Sequence, residues 1–133
     1  MGEAAAAIIV SAIPPNATIQ LIPVPIGTTN RPYNQAQDIA EALISHIPQS
    51  SLGPTMRRKR NPAQTSVHTA HARRTNMEHV FVMDKLLDPS MFYIVVDDVR
   101  TTGATLEEAR RALKASGARK VLCLAIAQTP LDS

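Results

Sequence analysis

The stretch FYIVVDDVRTTGATL, residues 92–106, decides how the chain folds. Phe92–Val96 is a continuous, β-branched apolar run bounded by polar residues, the pattern of a strand buried on both faces. Asp97 and Asp98 end it, and a turn of small and hydroxylated residues leads into a helix predicted over Thr105–Ala115. Leu106, Ala109 and Leu113 fall on the inward face of that helix, and Ser116 and Gly117 end it with glycine in the C-cap role. A second apolar run, Val121–Ala127, predicts another strand buried on both faces. Strand, helix and strand in this order form a unit that joins parallel strands.

Working outward, Ala4–Ile13 predicts an Ala-rich helix that stops before Pro14 and Pro15. Ile19–Ile26 (IQLIPVPI) predicts a strand that its prolines end, because proline cannot donate to a ladder. Residues 27–31 (GTTNR) form the loop that follows. Asn34–Ile47 is amphipathic, with Ile39, Ala40, Leu43, Ile44 and Ile47 on one stripe, and Pro48 closes it. Short strands are expected at Leu52–Arg58 and Val80–Met83, and the rest of Pro48–His79 as a long exposed excursion. Apolar strands separated by amphipathic helices give an α/β class, with a largely parallel twisted sheet flanked by helices.

The chain has 133 residues, enough for a single domain over 1–133 with one core. Hydrophobic residues make up 44% and charged residues 19%, which excludes a disordered chain. The formal charge of +3 comes mostly from Arg57–Arg60 and Arg73–Arg74, which points to an anionic ligand. Nucleic acid is not favoured there, because Tyr33, Phe81, Phe92 and Tyr93 are the only aromatic side chains in the chain and do not interleave with the basic run. The single cysteine, Cys123, excludes a disulfide framework or Cys-rich zinc site and reads as a small core residue. His68, His71 and His79 lack a regular metal-ligand spacing. The apolar segment Ala4–Ile13 is half the ~20 residues of a membrane span. It is preceded by Glu3 and by no Lys or Arg, so the expected compartment is the cytoplasm and no membrane is involved.

In open parallel sheets, ligands bind beyond the carboxyl ends of the strands, where Asp97–Thr105 should lie. Free N–H groups and partial positive charge at a helix N-terminus suit a phosphate monoester. Gly103 permits close approach, and Thr101, Thr102 and Thr105 add hydroxyl donors. A Walker loop is excluded, since GxxxxGK[ST] is absent. Carboxylates accept hydrogen bonds from vicinal hydroxyls, so a cradle and an acidic pair together describe a ribose 5-phosphate group. The acidic pair alone leaves other readings open: solvated side chains, or a magnesium pocket like that of a response-regulator-like domain. The threonines alone could simply cap the helix.

The string IVVDDVRTTGATL resembles the motif by which type I phosphoribosyltransferases bind 5-phosphoribosyl 1-pyrophosphate (PRPP). Ile22–Pro25 (IPVP), Arg31 and Tyr33–Ala36 look like the "PVP…RGFNQ" segment of the ComF-like family. The basic run with Gln64, Arg73, Asn76 and Phe81 looks like its "R…Q…R..N….F" segment. The similarity spans about Ile19–Ala127. ComF-like proteins are associated with DNA uptake in competence and are amidophosphoribosyltransferase-like. Here the zinc-binding Cys cluster found ahead of many such domains has no counterpart, and Pro32 stands where the family has glycine.

This resemblance implies a type I phosphoribosyltransferase-like fold with a reduced hood, and transfer of the phosphoribosyl group of PRPP to a nitrogen nucleophile with release of pyrophosphate. The alternative is a non-catalytic PRPP- or nucleotide-binding protein linked to DNA uptake or nucleotide sensing. The resemblance implies that Asp97, Asp98 and Arg31 are catalytic. Asp97 and Asp98 would hold the ribose hydroxyls, and Val99, Arg100, Thr101, Thr102, Gly103, Ala104 and Thr105 would wrap the 5-phosphate. Pro25, Ile26, Gly27, Arg31 and Tyr33 would receive the pyrophosphate. A flexible loop over about 57–79, with Arg57, Arg58, Lys59 and Arg60, would close over it. Mg²⁺ is the implied cofactor, held through PRPP and water with no direct protein ligand. The acceptor is not identified by any residue, and a homodimer is left open. Material for a hood is confined to the N-terminal helix and Gln128–Ser133.

Overall fold

The structure is a computed structural model that describes residues 2–25, 35–58, 80–98 and 103–126. The elements in order are α1 (Gly2–Ala12), β1 (Ile19–Pro23), α2 (Gln35–Ile44), β2 (Ser50–Leu52), β3 (Met56–Arg58), β4 (Phe81–Met83), β5 (Phe92–Asp98), α3 (Gly103–Ala115) and β6 (Lys120–Ile126). Strands β2, β1, β5 and β6 form, in that order, a four-stranded sheet in which every pairing is parallel. Strands β3 and β4 make a separate antiparallel ribbon. The fold is therefore mixed α/β with a parallel sheet flanked by helices. Among the described residues, none of the helices is long and apolar enough to cross a membrane.

The apolar run of β5 builds both halves of the core. Ile94 and Val96 join Ala6, Ile9 and Ile13 of the α1 segment, Ile19 and Leu21 of β1, and Ile39, Ala40, Leu43 and Ile47 of the α2 segment. On the opposite face, Tyr93 and Val95 join Phe81 of β4 and Ala109, Ala112 and Leu113 of α3. Strand alternation divides one run between two layers, which is why it carries no polar residue until Asp97. The Tyr93 hydroxyl accepts the Asp88 N–H at 2.8 Å, so its polar end is satisfied inside the core.

Element ends follow from local chemistry. β1 stops at Pro23, though Val24 N–H still donates to Val96 O at 3.0 Å. α2 ends at Ile44, and tighter bonds to Leu43 O and Ile44 O carry the chain on to the buried Ile47. The single strand expected over Leu52–Arg58 is two strands: β2 ends at Leu52, and residues 53–55 turn the chain into β3. Gly53 fits there because an added Cβ would lie 2.5 Å from Ile22 Cδ1.

Gly117 closes α3 as the sequence predicts. Its φ is +113°, its N–H donates to Lys114 O, and the Ala118 N–H donates to Leu113 O, which is a Schellman ending. A Cβ at this position would also stand 3.0 Å from Leu87 O. Gly117→Ala is therefore expected to cost about 2 kcal/mol, read as a lower urea midpoint with an unchanged slope.

β6 differs from expectation. It lies at an edge of the described sheet, and its residues are half-buried or exposed rather than buried on both faces. Leu122 is 39% exposed. Cys123 is exposed as well, not a core residue. A continuous apolar run does not distinguish a central strand from an edge strand, because that depends on how far the neighbouring layers extend. The Cys123 thiol lies 3.7 Å from Leu106 O, and desolvation there pushes its pKa up despite the opposing charge of Arg110. A raised thiol pKa makes it a poor nucleophile.

Candidate functional site at the carboxyl edge of the sheet

The central strand delivers the acidic pair to the sheet's carboxyl edge. Both Asp97 and Asp98 still belong to β5, in register with Ala125 and Ile126 of β6. The turn thus begins after Asp98, and strand alternation puts the two carboxylates on opposite faces of the sheet. A diol shared by both must lie over the edge and bridge them. Asp97 is 9% exposed, and its Oδ1 accepts the Asp98 N–H at 2.7 Å. That bond fixes the Asp97 rotamer at the strand's last step.

α3 begins at Gly103, two residues before the predicted start, so Gly103, Ala104 and Thr105 form its first turn. No acidic side chain occupies that turn, which leaves the positive end of the helix dipole uncompensated by its own residues. Among the described glycines only Gly117 has positive φ, so Gly103 is not there for left-handed backbone. A Cβ at Gly103 would meet no atom within 4 Å, so the position borders open space. Of the other residues assigned to the phosphate turn, Val99, Arg100, Thr101 and Thr102 lie outside the described residues.

Pro25 follows β1 at the same carboxyl edge and is half-buried. Ile26, Gly27, Arg31 and Tyr33 lie outside the described residues, as do Lys59, Arg60, His68, His71 and His79. Arg57 and Arg58 are described, and they stand in β3 rather than in a loop. β2 runs parallel to β1 and ends at Leu52, so the chain enters β3 from the carboxyl end of the sheet.

The Arg57 Nε donates to both Asp84 carboxylate oxygens, at 2.9 and 2.8 Å. That hydrogen bond holds the Asp84 carboxyl below its ordinary range and raises the Arg57 guanidinium further. Both side chains are more than half exposed, so the pair costs little to open when an anion competes. The Arg58 guanidinium lies 5.4 Å from the centre of the Phe81 ring.

Glu108 is a residue that sequence reasoning missed. It is buried on α3, where its Oε1 and Oε2 accept from Arg111 at 2.7 and 2.9 Å. Oε2 also accepts the Phe81 N–H at 3.0 Å. Its position in a polar helical stripe reads as solvated, and its backbone partner is 27 residues away in the chain.

Among the described residues, no group of three or more His, Cys, Asp or Glu could cage a metal ion. Mg²⁺ held through substrate phosphates and water needs no such cage of protein ligands. No protein-family model matches this chain, and no curated protein matches it in sequence.

Proposed function

We propose that the carboxyl edge of the sheet binds PRPP with Mg²⁺ and transfers its phosphoribosyl group to a nitrogen nucleophile. The carrying observation is the acidic pair at the last two positions of the central strand, followed by a helix whose own first turn holds no acidic side chain and by open space at Gly103. In this reading the domain is type I phosphoribosyltransferase-like and similar to ComF-like proteins. Asp97 and Asp98 receive the 2- and 3-hydroxyls from either side of the edge. The first turn of α3, together with residues 99–102, receives the 5-phosphate. Arg31, Pro25, Ile26, Gly27 and Tyr33 receive the pyrophosphate.

The nucleophile's nitrogen forms a bond to the anomeric carbon as the bond from that carbon to the pyrophosphate oxygen breaks. Pyrophosphate leaves with the electron pair, and the proton displaced from nitrogen goes to water. Positive charge develops on the ribose ring, so fixed carboxylates beneath it and fixed cations at the leaving group supply most of the rate enhancement. Bound Mg²⁺ supplies charge neutralisation at the pyrophosphate.

One observation favours the non-catalytic alternative, a PRPP- or nucleotide-sensing module. Ala6, Ile9 and Ile13 of the α1 segment are buried against β5 and α2. That face of the helix is committed to the sheet and is not available to enclose an acceptor. The two readings separate on turnover. The protein is incubated with PRPP, Mg²⁺ and a panel of nucleobases or ammonia, and pyrophosphate release is followed. The transferase reading expects acceptor-dependent release that Asp97→Asn/Asp98→Asn abolishes. Binding of PRPP without release under any acceptor would leave the sensor.

A further inference from the structure

We propose that Glu108 and Arg111 are positioning residues for the pyrophosphate end of the site, acting through Arg57 and Arg58. The inference rests on the PRPP reading above. The Phe81 main chain is held at both its polar groups by this one side-chain pair: its N–H donates to Glu108 Oε2 at 3.0 Å, and its carbonyl accepts from Arg111 Nη2 at 3.1 Å. Those groups point away from β3, so side chains of α3 close the outer edge of β4 where another strand could have paired. The Glu108 side chain is 3% exposed, while Arg111 is 36% exposed.

Phe81 is also the residue opposite Arg58 in the ribbon, and its buried ring lies under the Arg58 guanidinium at 5.4 Å. Arg57 faces Val82, the next residue. An unbroken series of contacts thus runs from the Glu108 carboxylate, through the Phe81 backbone and ring, to the basic pair. Glu108 lies five residues into α3, so the clamp sits ~7.5 Å along the axis from the helix's first residue. It fixes the height of the ribbon against the same helix whose first turn faces the acidic edge. The pair satisfies the Phe81 N–H and carbonyl, which apolar side chains would leave unpaired, and so sets where β4 lies against α3. Its hydrogen bonds fix position, and the ribbon's exposed cations are what gets positioned.

The test compares ribose 5-phosphate with PRPP, each with Mg²⁺, by calorimetric or NMR titration. The proteins are wild type, Glu108→Gln, Arg111→Lys, Arg57→Gln/Arg58→Gln, and the last combined with Glu108→Gln. Glu108→Gln and Arg57→Gln/Arg58→Gln are each expected to lose about tenfold in PRPP affinity. Ribose 5-phosphate affinity should stay within about twofold of wild type. The combined variant should be no weaker than Arg57→Gln/Arg58→Gln alone, because positioning matters only while the cations are present. Arg111→Lys keeps the charge but not the paired contacts and should fall between; it carries the test if Glu108→Gln does not fold. Equal loss of both ligands, additive losses, or an unchanged preference for PRPP in the variants would each overturn the proposal while leaving the PRPP reading standing. Wild-type protein that binds neither ligand overturns the PRPP reading and this inference with it.

Discussion

Replacing Asp97 and Asp98 together by Asn is expected to weaken PRPP binding by at least ~100-fold while leaving the fold intact. Hydrogen bonds to a charged group contribute about 1.5–3 kcal/mol each, and every 1.4 kcal/mol is a factor of ten in affinity. Two such bonds to the ribose hydroxyls therefore account for two orders of magnitude or more. Asn preserves the size of each side chain, and its Oδ1 can still accept the Asp98 N–H that Asp97 accepts at 2.7 Å. The loss should appear as a collapse of the calorimetric isotherm with an unchanged circular dichroism spectrum. Equal affinity in variant and wild type would remove Asp97 and Asp98 from the site.

The second large effect is on stability. Ile94→Ala is expected to destabilise the fold by about 3–4 kcal/mol. Ile94 is 1% exposed and sits in the strand flanked on both sides, in register with Leu21 of β1 and Leu122 of β6. Its neighbours come from α1, α2 and β1, and a backbone held in two ladders cannot move to fill the cavity. For a domain of this size the melting temperature should drop by roughly 10–15 °C. A drop of only a degree or two would mean that the layer of α1 and α2 is packed too loosely to register a void.

The parallel sheet and the acidic edge were legible because β5 states them locally: an apolar run, two aspartates, a turn and an amphipathic helix lie within one stretch of chain. The Schellman ending at Gly117 was equally local. What was not legible depends on partners distant in sequence. Val121–Ala127 is as apolar as Phe92–Val96, yet β6 has one strand beside it among the described residues and β5 has two. Nothing in either run encodes that difference. Glu108 is buried only because the Phe81 backbone arrives against α3. A sharper reading of Gly53 and Pro54 would have divided β2 from β3, since both residues favour a turn.

The most direct measurement of the central claim is a backbone NMR titration of the wild-type protein with PRPP and Mg²⁺. Saturable shifts are predicted at the amides of Asp97, Asp98, Gly103, Ala104 and Thr105, at the carboxyl edge of the sheet. Leu87 and Gly117, at the other end of α3, should not move. Shifts confined to Leu87 and Gly117, or a spectrum that ignores saturating PRPP, would contradict the account.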